Sequence, residues 1–308
     1  NEENILPITL AALPTAIKGI DTIERLIIDD GSSDNTLEVA SQHNVEHIVK
    51  FSQNRGLASA FMAGIEGSLE AGADVIVNTD ADNQYCANDI EKLLAPILSG
   101  EAEIVIGARP IDEISHFSPI KKYLQRIGSW AVRLISGTTI DDAPSGFRAF
   151  SADAAMKLNV FSEYTYTLET IIAAGQRGIT VTSVPIRTNE QLRQSRLIKS
   201  IPNYIWRSIT TMFRIFLYYR PLRSFGILGA VPFAIGFLLG LRYLAFWLEG
   251  TTRAHTPSLI LSAILLLTGM LLWMAGLIGD LQAVNRKILE DIQLTQRRQR
   301  RNRKKSQH

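Results

Sequence analysis

Twenty consecutive residues, Leu259–Ile278, contain no charged side chain and are apolar on every face a helix would present. The hydrocarbon core of a bilayer is about 30 Å thick and takes about 20 helical residues to cross. A second uncharged run, Phe225–Leu241, regains its apolar character after Arg242 and continues to Leu248. Arg242 lies about two helical turns before Glu249, so its stem can follow lipid while its head reaches the interface. A pair of core helices in a soluble protein would instead show one apolar stripe each. Membrane spans are therefore expected over 222–248 and 257–279, joined by a loop, Glu249–Pro257, too short to be a domain.

Charge sets the expected topology. The formal net charge of +2 conceals three blocks: −9 over residues 1–200, +4 over 201–285 and +7 over 286–308. Arg207, Arg214, Arg220 and Arg223 precede the first span, and Arg286 and Lys287 follow the second. Positively charged flanks stay inside, which predicts an integral cell-membrane protein with its 1–200 domain and its tail in the cytoplasm. No signal-peptide pattern opens the chain, in keeping with that expectation. The composition excludes a disordered, collagen-like or disulfide-scaffold protein, and the single cysteine, Cys86, has no internal bridging partner. Residues 201–221 read as a juxtamembrane segment. Within it Ile205, Ile209, Met212, Phe213 and Phe216 gather on one side of Tyr204–Tyr219, a face suited to the headgroup plane or to packing in a homo-oligomer. In the 280–308 tail, Leu281, Val284, Ile288 and Ile292 keep helical spacing before the run Arg297, Arg298, Arg300, Arg301, Arg303, Lys304 and Lys305. Aromatic residues that would stack on bases are missing there, so no nucleic-acid partner is expected. Anionic membrane lipids are, at about 1 kcal/mol per basic residue near the surface.

Residues 1–200 alternate short β-rich runs with helical patterns. Strands are expected over 23–28, 46–51, 74–78, 103–107 and 181–186, and helices over 34–42, 57–71, 87–98 and 168–177. Such alternation predicts an α/β domain with a mostly parallel sheet, whose ligands sit beyond the carboxyl ends of the strands. Two strands end in acidic clusters: Leu26-Ile27-Ile28 runs into Asp29-Asp30-Gly31-Ser32-Ser33-Asp34, and Val75-Ile76-Val77 into Asn78-Thr79-Asp80-Ala81-Asp82-Asn83-Gln84. Ser33 or Asp34 would also cap the following helix, but a cap leaves Asp29 and Asp30 unexplained. Carboxylates crowded at a strand end call for a cation or for hydrogen-bond donors from a ligand. Gly-rich dinucleotide and Walker loops, a serine-nucleophile elbow and a histidine metal pattern are all missing from the sequence.

With Asn1-Glu2-Glu3-Asn4, Gly107-Ala108-Arg109 and Ser145-Gly146-Phe147-Arg148 added in order, residues 1–220 resemble the family-2 glycosyltransferases. The resemblance is to the branch of dolichol-phosphate mannose synthase and bacterial polyprenyl-phosphate glycosyltransferases. That family has a strand just before its Asn-Glu-Glu motif, and here the chain starts inside the motif, so the resemblance implies an N-terminally shortened sequence. It further implies a GT-A fold, a nucleotide-diphosphate sugar donor, a polyprenyl or dolichyl-like phosphate acceptor, and Mg²⁺ or Mn²⁺. By the matching motifs Asp80 and Asp82 meet the diphosphate through the metal, with Gln84 as a further ligand. Asp29, Asp30 and Glu3 belong to the donor pocket. Arg109 matches an acceptor-phosphate arginine, with Lys121, Lys122 and Arg126 as further phosphate contacts or a solvated helix face. Asp142 (or Asp141) and Arg148 belong to the catalytic region. Arg193 and Arg196 match a basic loop that closes on the diphosphate, or serve as a basic linker to the membrane.

The expected reaction is inverting transfer of the sugar to a lipid phosphate. Two alternatives stand beside it: transfer to a hydroxyl of a lipid-linked glycan or polysaccharide, and a non-catalytic, membrane-tethered nucleotide-sugar-binding scaffold. Processive synthases add a Gln-x-x-Arg-Trp motif, which Gln125-Arg126-Ile127-Gly128-Ser129-Trp130 does not match.

Overall fold

The computed structural model describes residues 1–111, 119–160, 166–190, 220–250 and 256–305, with isolated residues between 210 and 217. The chain divides into two compact units, Asn1–Ser208 with Gln293–His308, and Ile209–Ile292.

The first unit is α/β. Strand β1 (Leu26–Asp29) pairs in parallel with β2 (His47–Lys50), Leu26 opposite His47 and Asp29 opposite Lys50. A four-stranded sheet has the order β3–β5–β4–β6, built from Val75–Asn78, Arg148–Ser151, Ile104–Ala108 and Val181–Pro185. β3, β4 and β6 run in one direction, and β5 runs antiparallel between β3 and β4. Helices α2 (Thr36–Gln42), α3 (Leu57–Glu70) and α4 (Ile90–Leu98) make the crossovers between successive strands. The α1 helix (Leu6–Ala12) precedes them, and α5 (Pro119–Ser136), α6 (Ala152–Lys157) and α7 (Thr167–Gln176) surround β5 in sequence.

One core packs Ile90, Leu93 and Leu94 of α4 onto Val105, Phe147, Ala149 and Ile186, with Tyr85 stacked on Phe147 at 5.1 Å between ring centroids. β1 and β3 are built on the runs Leu26-Ile27-Ile28 and Val75-Ile76-Val77 and lead into the two acidic loops, with Asp29 as the buried last residue of β1. β5 was not expected, for a physical reason: its first residue is Arg148, a charge that ordinarily argues against a buried strand.

Two arginines of the basic tail bond to the protein itself, while Arg298 and Arg300 are exposed. Arg297 donates through Nη1 to the Met156 and Leu158 carbonyls (3.0 and 2.9 Å) and through Nη2 to Glu66 Oε1 (2.9 Å). Arg301 Nη2 pairs with Asp74 Oδ1 at 2.8 Å and reaches the Ala73 carbonyl. The carbonyls at the end of α6 are the groups a helix leaves without internal partners, and Arg297 supplies them.

The second unit holds α8 (Pro221–Leu248) and the apolar part of α9 (Thr256–Lys305), among the described residues the two helices long and apolar enough to cross a bilayer. They pack through small residues. A Cβ on Gly236 would lie 2.9 Å from Leu265 Cβ, the Leu266 nitrogen and the Ser262 oxygen. Ser262 Oγ donates to the Gly236 carbonyl at 2.6 Å, and Trp273 Nε1 to that of Gly226 at 3.1 Å. Large apolar side chains such as Val231, Leu238, Leu267 and Leu271 are exposed. Close approach at glycine with apolar residues outside is how helices pair in lipid, where dispersion and polar contacts replace the hydrophobic drive.

Two expectations follow. Gly236→Leu should force α8 and α9 apart and cost about 1–3 kcal/mol, read as a lower unfolding midpoint of the full chain in detergent. Arg297→Ala should destabilise the first unit by about 1–2 kcal/mol in the same measurement, since it removes charge-assisted bonds to partly exposed partners.

Candidate functional site

The first acidic cluster closes β1. Asp30 accepts from the backbone N–H groups of Arg55 (2.6 Å) and Gly56 (3.0 Å), so both its oxygens hold the turn into α3. Asp29 differs: Oδ1 accepts from Ser32 N at 3.0 Å, while its buried Oδ2 has no partner among the described residues. A buried carboxylate oxygen without a donor is costly, so Asp29 retains the capacity to accept from a ligand. Glu3 Oε2 accepts from Asn35 N at 3.0 Å while its own N–H donates to Asp34. Asn1 and Glu2 likewise bond to Ser33 and Thr36. The Asn-Glu-Glu motif thus stitches the chain start to the β1–α2 loop.

The second cluster closes β3, and here the chemistry concentrates. Asp80 lies against Gly146, where an added Cβ would come within 3.1 and 3.2 Å of its two carboxylate oxygens. The Tyr85 hydroxyl accepts from Gly146 N at 3.0 Å and donates to Asp80, bridging the two loops. Asn78 Nδ2 donates to the Gly146 carbonyl (2.8 Å) and to the Tyr166 hydroxyl (2.9 Å), pinning the same loop from β3. Asp82 Oδ1 accepts from Gln84 N, and Thr9 Oγ1 ties α1 to the Ala81 carbonyl at 3.0 Å. Desolvation, reinforced by the neighbouring Asp82 charge, raises the Asp80 carboxyl to about 6. Burial likewise pushes the Tyr85 and Tyr166 phenols up, so both remain protonated donors.

Arg109 follows β4 and meets the same region. Its Nε and Nη2 grip Asp142 in a two-pronged pair, at 2.7 Å to Oδ2 and 3.1 Å to Oδ1, and its backbone N–H donates to Oδ2 as well. Burial works against the guanidinium charge, but Asp142 outweighs it and holds Arg109 firmly protonated. Nη1 has no partner among the described residues, which leaves donors for an anion in a fork suited to phosphate oxygens.

Arg148 is fully buried. It donates to the Ser145 and Ala143 carbonyls (2.8 and 2.7 Å) and to Thr170 Oγ1, and lies over the Tyr166 ring. Desolvation lowers it to about 10, so it is charged at neutral pH. With these partners it shapes the 142–146 loop. Asp141 is exposed and accepts from Ser183 Oγ. Lys121, Lys122 and Arg126 lie on α5, with Arg126 exposed. Arg193 and Arg196 lie outside the described residues. Before them, Asn189 Nδ2 donates to the Asn83 carbonyl at 2.9 Å and Asn189 N to that of Gln84, so the chain leaves β6 beside the acidic loop.

Among the described residues no group of three or more His, Cys, Asp or Glu side chains could hold a metal alone. The Asp80–Asp82 pair nonetheless fits a divalent cation that takes its other ligands from a diphosphate and water, as Mg²⁺ and Mn²⁺ do. The raised Asp80 carboxyl agrees with that fit: burial is its main cause, the Asp82 charge adds to it, and Arg109 and Arg148 offset it only in part.

The family model described as Glycosyl transferase family 2 matches residues 1–158, and the chain belongs to that family. It is 34% identical over 188 residues to a UDP-N-acetylglucosamine–dolichyl-phosphate N-acetylglucosaminyltransferase of Methanococcus voltae, covering 53% of this chain and 73% of the relative. It is 29% identical over 208 residues to an undecaprenyl-phosphate mannosyltransferase of Micrococcus luteus, covering 64% and 84%. Its fold is similar to glucosyl-3-phosphoglycerate synthase from Mycobacterium tuberculosis in complex with Mn²⁺, UDP-glucose and phosphoglyceric acid. The TM-score is 0.54 at 18% identity, over 69% of this chain and 76% of that one. The GT-A-like fold and a family-2 glycosyltransferase activity are thereby assigned, and a divalent metal is typical of such enzymes.

Tyr85 and Tyr166 escaped the sequence reading because a buried tyrosine next to a motif looks like ordinary core. Asp89 escaped it too. It is fully buried, and its carboxylate accepts from Arg187 N (2.6 Å) and Nη2 (2.7 Å) and pairs with Lys92. Burial alone would raise its carboxyl, but the Arg187 bonds and then Lys92 bring it down to about 2. The pair therefore stabilises the fold fully above the ordinary value of 3.8, and that contribution fades as pH falls through about 2. Asp89→Asn should cost about 1–2 kcal/mol at neutral pH, discounted for the exposed Arg187. In urea titrations of variant and wild type, the gap should close between about pH 4 and pH 2.

Proposed function

We propose that the chain is a membrane-bound inverting glycosyltransferase that moves a sugar from a nucleotide-diphosphate donor to a polyprenyl or dolichyl-like phosphate. One observation supports it above the rest: an arginine with spare donors, Arg109, is held by Asp142 within electrostatic reach of the Asp80–Asp82 pair. A dicarboxylate suited to a metal-bound diphosphate beside a phosphate-gripping guanidinium is what transfer between two phosphates requires. The names of the two relatives point to the same acceptor class.

In this reading Asp29 accepts from the nucleoside, while Asp30 and Glu3 hold the loops that present it. Asp80 and Asp82, with Gln84 beside them, would hold Mg²⁺ or Mn²⁺, which offsets diphosphate charge. Arg109 orients the lipid phosphate. A phosphate oxygen attacks the anomeric carbon from the face opposite the leaving group, and the bond from that carbon to the diphosphate oxygen breaks, its electron pair leaving with the nucleoside diphosphate. The transition state has oxocarbenium character, so stabilising the departing charge matters more than making a nucleophile. A phosphate monoester with second pKa near 6 is mostly dianionic at neutral pH, so no general base is needed. Asp142 is then a positioning residue for Arg109. Arg193 and Arg196 add charge against the diphosphate from the segment that follows Asn189. The basic flanks of the apolar helices support a cytoplasmic side for the catalytic unit and the tail.

The test uses membranes containing the full chain, a panel of labelled nucleotide sugars and polyprenyl phosphate, with lipid products read by mass. Wild type should yield an acid-labile sugar phosphate. Asp82→Asn and Arg109→Ala should each lower transfer by about 10²–10³-fold. Unchanged transfer in both variants would sink the assignment, and an acid-stable linkage would redirect it to a hydroxyl acceptor.

A further inference from the structure

Helix α5 exposes an apolar ridge on the same unit that holds the site. Ile127 is 40% exposed, Trp130 57% and Leu134 66%. At the helical repeat these three fall within about 60° of arc. The opposite side, with Gly128, Ser129, Val132 and Ser136, is buried, and α5 packs there on α7. Lys122, Arg126 and Arg133 line one edge of the ridge, within about 40° of each other, with Arg126 exposed and Arg133 half-buried, its Nη1 donating to the Ile140 carbonyl at 3.0 Å. Pro119–Ser136 contains four basic residues and no acidic one, in a domain whose net charge over residues 1–200 is −9.

We infer that α5 lies in the surface of an anionic lipid bilayer, with Ile127, Trp130 and Leu134 below the headgroups and its basic edge among them. Single exposed apolar residues are ordinary, but an aligned ridge that includes a tryptophan is not. The basic edge supplies the charge complementarity that selects anionic lipid over a neutral apolar partner. Tryptophan is the residue favoured at headgroup level, and an apolar face bordered by lysine and arginine is the pattern of helices that lie in the interface plane. The chain also has two helices long and apolar enough to cross a bilayer, so a membrane is at hand. The consequence for specificity is that lipid-borne acceptors would meet this domain already concentrated in two dimensions. The inference rests on membrane anchoring and not on the acceptor assignment.

The full chain, with Cys86→Ser as background, would receive a spin label at Ile127→Cys, Trp130→Cys, Leu134→Cys and, as an aqueous control, at exposed Glu91→Cys on α4. After reconstitution in phosphatidylcholine–phosphatidylglycerol vesicles, relaxation by oxygen against a water-soluble nickel chelate gives the depth of each label without any turnover. Labels at the three ridge positions should lie about 5–10 Å below the headgroup phosphates, and the label at 91 should remain aqueous. Nickel-dominated relaxation at all three ridge positions would overturn the inference. So would dipolar broadening between labels at 130 that vanishes on dilution with unlabelled protein, since the ridge would then meet a second copy. A depth result in line with expectation stands even if lipid phosphate proves not to be the acceptor.

Discussion

A guanidinium with no access to water must be given acceptors, and the loop after α5 is folded around that requirement. Arg148 opens the one antiparallel strand of the four-stranded sheet, and its donors take the carbonyls of Ala143 and Ser145 and the hydroxyl of Thr170. An ion moved from water into the interior costs several kcal/mol unless its bonds are replaced, so these contacts are strongly coupled. Their effect is to fix residues 142–146 between β3 and β4. That one loop sets Asp142 on Arg109 and brings the Gly146 backbone to Tyr85, Asn78 and Asp80. The charged centre of the sheet is thus the mould for the charged site at its edge.

The site is built from opposed charges held at a fixed distance by neutral groups. Burial and the Asp82 charge both disfavour the Asp80 carboxylate, and Arg109, Tyr85 and Arg148 offset that cost only in part. Tyr85 and Tyr166, both kept protonated by burial, act as rigid spacers with one polar tip each. Such an arrangement suits a ligand that brings its own cation and phosphates. Donors and acceptors already stand in place, and in the proposed reaction that would avoid reorganisation as charge develops.

Much of this was legible before folding was considered. Acidic runs at the ends of β1 and β3 and the uncharged runs in α8 and α9 follow from local composition, which the solvent around them constrains directly. What the sequence hid depends on partners far along the chain. Nothing local distinguishes Asp29, with an oxygen to spare, from Asp30, whose oxygens serve the backbone of Arg55 and Gly56. Strand β5 was invisible because its buried charge is tolerable only with acceptors from a loop and from α7. A basic tract reads alike whether it faces phospholipid or carboxylates, so Arg297 and Arg301 gave no local sign of their protein partners.

Those tail contacts also bear on when the domain can be finished. Arg297 and Glu66 are 231 residues apart in sequence, and Arg301 and Asp74 are 227 apart. Both apolar helices are made between them. A ribosome therefore releases Arg297 and Arg301 only after both apolar helices have been made. Until then Glu66 on α3, the carbonyls at the end of α6 and Asp74 before β3 wait for their tail partners, so a nascent chain stalled after the second apolar helix holds an α/β unit without these bonds.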